Sequence, residues 1–224
     1  MTPKSTIRVS AFRWVPPFAQ GLVRDLRVRW ALEEAGLDYE ENLIGPEEQK
    51  SASYRALQPF GQVPALEQDG LVLFESGAIV MHIGEHSDAL MPRDEPARAR
   101  VRSWMLAALN TIEPPITTLV AIDTQPGGAP PGAKELRDGV VARIGGRLDS
   151  LAAFLGDRQH LVEGRFTAAD LLMTTVLRIL RHTDLVSQRP ALEAYQQGNE
   201  ARPAFQKALA DQMAAFARHA PPGK

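Results

Sequence analysis

Cysteine is absent from the sequence, and its absence excludes disulfides, thiolate metal ligands and an enzyme thiol nucleophile together. No mixed disulfide between this chain and a substrate can form. The chain also lacks a dominant charge: 25 Lys and Arg stand against 27 Asp and Glu, a formal net charge of −2. Without a global field of one sign, nucleic acid and anionic membrane surfaces are poor partners. The alternation of Arg98, Arg100 and Arg102 reads as a solvated helix face. No uninterrupted apolar run approaches the ~20 residues that span a bilayer. The opening MTPKSTIRVSAF lacks the apolar segment of a secretory signal. A cytoplasmic protein is expected, and neither an internal repeat nor a low-complexity domain stands out.

What is present is an ordinary globular composition, 44% hydrophobic over 224 residues, enough for one large domain or two small ones. Ile7, Val9 and Ala11 alternate with Arg8 and Ser10, the period-two pattern of a half-buried strand. Val28, Ala31, Leu32 and Ala35 follow helical spacing and end at Gly36, which favours a left-handed helix stop. A helix of about four turns follows from that stripe. Tyr39 to Ile44 reads as a strand, Glu47 to Leu57 as a polar helix, and Ala65–Gln68 with Leu71–Phe74 as a hairpin turning at Asp69-Gly70. Ser76 to His86 closes the unit as a helix. The element order predicts an α/β domain of thioredoxin-like type over residues 1–87, with ligands at strand ends and helix N-termini.

Ser87 to Glu95 breaks the pattern and predicts a linker, after which residues 95–224 read as an all-helical bundle. Val101, Met105, Ala108, Leu109 and Ile112 form one apolar stripe; Val140, Ile144, Leu148, Leu151 and Leu155 form another. Pro114-Pro115 predicts a kink or stop in the first, because proline removes a backbone donor. TQPGGAPPGAK, from Thr124 to Lys134, reads as a connector between helices. Thr167 and Asp170 have the spacing of a capping box before Leu172, Val176, Ile179 and Leu180. Phe205, Leu209, Met213 and Phe216 predict a final helix with APPGK as a frayed tail.

The most informative stretch is FGQVPALEQDGLVLFESGAIVMHI, from Phe60 to Ile83. Val63-Pro64 lies just before a strand, where a cis bond makes a tight turn and leaves a free backbone edge. Glu75-Ser76 ends the next apolar run and opens a helix whose unpaired N–H groups suit a carboxylate. Taken singly, these are a turn and a helix start. Their joint order makes one continuous ligand-facing edge.

Gln62-Val63-Pro64 followed by Glu75-Ser76-Gly77 resembles the glutathione-binding half of the cytosolic glutathione transferases, and the chain is similar to a bacterial member with an atypical loop from Phe12 to Gly21. ALEEAG at 31–36 is similar to that family's first helix and GRFTAADLLM at 164–173 to its helical-domain capping motif. The resemblance implies the two-domain glutathione transferase fold, a thioredoxin-like domain followed by a helical bundle. It also implies glutathione as cosubstrate, a small hydrophobic electrophile as second substrate, a homodimer, a detoxifying role and no metal. It assigns the Val63 backbone to the cysteinyl unit, Ser76 to the γ-glutamyl carboxylate, Glu75 to the ligand amine and Gln62 to the carboxylate end.

Such chemistry requires a thiolate. Lowering a thiol pKa by about two units takes roughly 2.7 kcal/mol, which one hydrogen bond to the anion, worth ~1.5–3 kcal/mol, supplies. The family draws that donor from Ser, Tyr or Cys, but here the corresponding residues are Leu22, Val23 and Arg24. Arg24 is the preferred substitute, against a surface arginine pairing with Asp25 or another carboxylate. The N–H groups of Leu22 and Val23 also qualify, and Trp14 carries an indole donor. Ser10 belongs to a strand. By the family's architecture, Met105 and Leu109 line the second-substrate pocket, against a plain core role. Peroxide reduction and dehalogenation use the same thiolate.

Two other classes compete. Leu22 at the usual donor position fits a non-catalytic glutathione-binding or assembly module. HIGEH matches a zinc-hydrolase helix through His82, Glu85 and His86, but lacks an obvious third ligand, and packing and surface roles are favoured for both histidines.

Overall fold

Alternating Ile7, Val9 and Ala11 bury their side chains, and Ile7–Phe12 forms strand β1 in a computed structural model that describes residues 6–125 and 132–221. The alternation fails at one place: Ser10, expected to face water, is buried. After a 3-10 turn at Pro17–Ala19 comes helix α1, Asp25–Ala35. It is three turns long rather than four and stops where Gly36 takes φ 65° and donates to the carbonyls of Glu33 and Leu32. Strand β2, Tyr39–Ile44, pairs parallel to β1 from Ile7↔Tyr39 to Phe12↔Ile44.

The single polar helix expected over Glu47–Leu57 is two, α2 (Pro46–Lys50) and α3 (Ala52–Leu57). Ser51 divides them: its backbone is extended, and its Oγ accepts from the Tyr54 N–H at 3.2 Å, starting α3 afresh. Strands β3 (Ala65–Gln68) and β4 (Leu71–Phe74) form the expected hairpin, with Asp69 and Gly70 both at positive φ in its turn. The sheet order is β2-β1-β3-β4, and helix α4, Ser76–Glu85, follows.

Backbone contacts divide the chain into two units, Met1–Met91 with Ala201–Lys224 and Pro92–Glu200. Residues 201–224 therefore group with the first unit rather than with the helical stretch to which sequence reading joined them. The cause is helix α10, Pro203–Arg218. Its Phe205 meets Trp30 edge-on at 4.8 Å, and preceding Arg202 forks onto Glu34 at 2.6 and 2.7 Å. Gln212 donates to Asp25, whose carboxylate also accepts from Arg29 at 2.7 Å, all three being buried. The buried face of α10 thus contains Gln212, and Met213, expected in the core, is exposed.

In the second unit, α5 (Glu95–Ala107) passes through a π-turn, Ala108–Ile112, into α6 (Glu113–Asp123). Pro114-Pro115 neither stops nor breaks this helix. The Glu113 N–H bonds to the Ala108 carbonyl, a wider turn, and Arg147 donates to the Thr111 carbonyl, the acceptor that Pro115 has no amide to satisfy. The 29-residue stretch Glu95–Asp123 is long and apolar enough to cross a membrane by length and composition, which counting uninterrupted apolar runs overlooks. Its Val101, Met105, Ala108, Ile112, Ile116 and Leu119 are buried inside the protein.

Helix α7, Ala133–Leu155, buries all five residues of its expected stripe. Helix α8, Ala168–Arg178, starts at the Thr167–Asp170 box, where Asp170 Oδ2 accepts from both the Thr167 N–H and Oγ1 at 2.9 Å. Helix α9, Pro190–Glu200, ends the unit. The central residues of the expected connector, 126–131, and the tail residues 222–224 lie outside the described residues.

Candidate functional site

The Val63-Pro64 peptide is cis. It enters β3, and the register Ala65↔Phe74 carries Val63 to the same end of the hairpin as Glu75 and Ser76. Val63 is buried against Ile44 and Tyr54. Among the described residues neither its N–H nor its C=O has a hydrogen-bond partner. Buried backbone groups are nearly always paired, so an amide and a carbonyl left open on one residue form an edge chemically suited to a peptide-like ligand.

Across the turn, Glu75 is an exposed non-glycine residue at φ 68° and ψ 114°. That is a sparsely populated region for a residue with a Cβ, and such strain collects at ligand sites. No side chain caps the start of α4. The N-terminal N–H groups and positive dipole end there suit an anion. Ser76 is buried, and its Oγ accepts from Arg27 Nη1 at 3.2 Å. A buried guanidinium, a hydroxyl and a helix N-terminus thus converge. Sequence reading did not single out Arg27, which lies in a stretch, Asp25 through Leu32, that is buried throughout.

The cis-proline turn is held from below. The Ala65 N–H donates to Ser10 Oγ at 2.7 Å, Ser10 Oγ lies 2.8 Å from Tyr54 Oη, and Tyr54 Oη donates to the Gln62 carbonyl at 2.6 Å. Buried Gln58 accepts from the Gln62 and Phe60 N–H groups, while the Gln62 side chain is exposed. Ser10 and Tyr54 were not singled out as site residues, because nothing in the sequence distinguishes a buried hydroxyl from one facing water.

The loop before α1 reaches the same place: Val23 packs against the cluster of Ile44, Tyr54 and Val63. The Leu22 N–H is committed to the Ala19 carbonyl at 3.0 Å and so is not a free donor, whereas the Val23 N–H has no partner among the described residues. Arg24 is exposed immediately before α1, a cation at a helix N-terminus. Asp25 is turned inward to Arg29 and Gln212, so the surface Arg24–Asp25 pair weighed from the sequence does not form. Burial penalises the Arg29 charge, but the Asp25 carboxylate beside it holds its pKa above the ordinary arginine value. Trp14 is half-buried, and its indole N–H makes no hydrogen bond among the described residues.

In the second unit, Met105 is fully buried and Leu109 half-buried within the π-turn. The His82 and His86 rings lie 4.9 Å apart, and partial burial followed by the neighbouring His86 lowers the His82 pKa. Among the described residues no group of three His, Cys, Asp or Glu side chains could hold a metal, so the zinc reading finds no third ligand.

Two family descriptions match this chain: the N-terminal domain of glutathione S-transferase over residues 20–85 and its C-terminal domain over residues 109–203. Glutathione S-transferase 4 of Zea mays is 31% identical over 218 residues, 91% of this chain and 92% of that protein. Glutathione S-transferase 3 of Zea mays is 33% identical across 83% of this chain and 88% of its own length. The crystal structure of glutathione transferase F7 from Populus trichocarpa superposes with a TM-score of 0.79 at 28% identity, covering 92% of this chain and 99% of that one. These relatives are plant proteins, and the bacterial origin expected from the sequence finds no support in them.

Proposed function

This chain belongs to the glutathione S-transferase family, and from that premise we propose that it activates the thiol of glutathione for attack on a hydrophobic electrophile. The observation that carries the reading is Val63, whose open N–H and C=O lie at the end of the hairpin where Ser76 and Arg27 meet. A tripeptide lying along this edge pairs its cysteinyl backbone with Val63, as a strand adds to a sheet. Its γ-glutamyl carboxylate takes Ser76, the N-terminus of α4 and the Arg27 charge. Glu75 faces the ligand ammonium, and Gln62 serves the carboxylate end.

In the reaction the thiol loses its proton to solvent, the sulfur forms a bond to the electrophilic carbon, and the leaving group departs with its electron pair. The protein's part is to favour the thiolate. The free Val23 N–H and the Arg24 guanidinium supply the donor and the charge. Trp14 stands as the other candidate donor. Leu109, half-buried in the π-turn, and Met105 beside it are proposed for the electrophile's pocket. The segment from Phe12 to Gly21 is proposed as this chain's departure from the family. A cytoplasmic homodimer completes the reading; exposed Phe60 and Phe74, 6.2 Å apart, offer an apolar contact to a second copy.

One observation favours a binding module without turnover: Leu22 brings no hydroxyl, and its N–H is already used. Ultraviolet thiolate absorbance of glutathione titrated with the protein across pH separates the readings. Thiolate persisting well below the free thiol pKa supports the enzyme, binding without that shift supports the module, and no binding defeats both.

A further inference from the structure

The hydroxyls of Ser10 and Tyr54 form a relay of one polarity. The Ala65 N–H is only a donor, so Ser10 Oγ accepts from it at 2.7 Å. The Gln62 carbonyl is only an acceptor, so the single phenolic proton of Tyr54 goes to it at 2.6 Å. Ser10 therefore donates its proton to Tyr54 Oη across the 2.8 Å between them. Both ends of the relay are backbone groups of the turn, and they flank Val63-Pro64 on either side. Every polar atom in the relay is satisfied within the protein, while Val63 between its ends keeps both backbone groups open.

We propose that Ser10 and Tyr54 are positioning residues, holding the Gln62–Ala65 turn so that the Val63 N–H and C=O stand ready for the backbone of glutathione. The inference rests on the glutathione reading above. Nothing in the relay touches the sulfur; it acts on affinity by removing the need to order the turn when ligand arrives. The Tyr54 ring packs against Ile44 and Val63 independently of its hydroxyl, so Tyr54→Phe removes the hydrogen bonds and keeps the packing. Burial raises the Tyr54 pKa, and the phenol keeps its proton through the neutral range.

The test compares wild type, Tyr54→Phe, Ser10→Ala and Ser10→Thr by calorimetric titration with glutathione, thermal melting and amide hydrogen exchange in the free protein. Positioning predicts that Tyr54→Phe binds glutathione about five- to tenfold more weakly. The pKa of the bound thiol at saturation stays that of wild type, and exchange quickens at the hydrogen-bonded amides of the turn, Gln62 and Ala65. Ser10→Ala quickens Ala65 and weakens binding in the same direction, whereas Ser10→Thr, which retains a hydroxyl, restores wild-type affinity. Unchanged affinity in a folded Tyr54→Phe protein with a lowered melting temperature overturns the proposal and leaves a structural role only. Should Tyr54→Phe fail to fold, the Ser10→Ala and Ser10→Thr pair decides by the same criteria. Failure of wild type to bind glutathione overturns the parent reading; exchange rates at Gln62 and Ala65 then decide positioning on their own, and unaltered rates in the variants overturn it.

Discussion

Arg27 reaches from α1 to place Nη1 3.2 Å from Ser76 Oγ, at the first residue of α4. A guanidinium and the positive end of a helix repel, and both are stabilised by an anion between them. That relationship supports the carboxylate site proposed for the start of α4.

Replacing Ser76 with Ala removes one hydrogen bond to a charged ligand group, about 1.5–3 kcal/mol. Glutathione affinity measured calorimetrically is expected to fall roughly 10- to 100-fold. An analogue lacking the γ-glutamyl carboxylate is expected to bind wild type and variant alike. Equal loss for both ligands would place the effect on folding rather than on the carboxylate.

Arg24→Ala tests thiol activation. Arg24 is exposed, and the bonds of Asp25 to Arg29 and Gln212 do not involve it. The sign follows from charge: a cation near the sulfur favours the thiolate, so its loss raises the bound thiol pKa, by about one unit or ~1.4 kcal/mol. Thiolate absorbance at neutral pH should drop while glutathione still binds. An unaltered titration assigns activation to the Val23 N–H or to Trp14.

How much of this was legible beforehand divides along one line. Patterns carried by apolar periodicity came through: β1, the hairpin, the α7 stripe and the start of α8 stand where spacing and capping residues put them. So did the turn chemistry of Val63-Pro64 and Asp69-Gly70. What did not come through depends on polar groups whose burial is decided by distant partners. Ser10 is inside because Tyr54 and Ala65, far along the chain, consume its hydrogen bonds. Arg27 is inside because Ser76 meets it. Gln212 replaces a neighbouring Met in the α10 core because Asp25 and the Val23 carbonyl need its amide. The π-turn escaped because Pro115 was weighed without Arg147, which caps the carbonyl it orphans.

Asp170 is expected to dominate the stability of the second unit. Its carboxylate accepts from the Leu161 and Thr167 N–H groups, Thr167 Oγ1 and Tyr195 Oη, each within 3.0 Å, and is fully buried. Asp170→Ala leaves those donors without an acceptor and should cost on the order of 3–5 kcal/mol by denaturant unfolding. A loss below about 1 kcal/mol would mean that water enters and satisfies them.

The Arg13–Glu48 pair gives a pH signature. Arg13 Nη2 donates to Glu48 Oε1 at 2.8 Å, and the Gly45 N–H donates to Oε2 at 3.0 Å at the start of α2. The Arg13 hydrogen bond foremost, then the backbone donors, lower the Glu48 pKa from 4.5 to about 2. A carboxyl whose folded pKa lies below its unfolded value contributes stability above the unfolded pKa and loses it as pH falls through the folded one. Wild type should therefore melt above Glu48→Gln near neutral pH, by a margin that closes as pH falls from 4.5 toward about 2. Because both side chains are exposed, added salt should shrink the part of that margin due to Arg13 and leave the part due to the Gly45 N–H. A margin that holds to the acid end, where the carboxyl is protonated, would show that the carboxylate charge is not its source and would overturn the ion-pair reading.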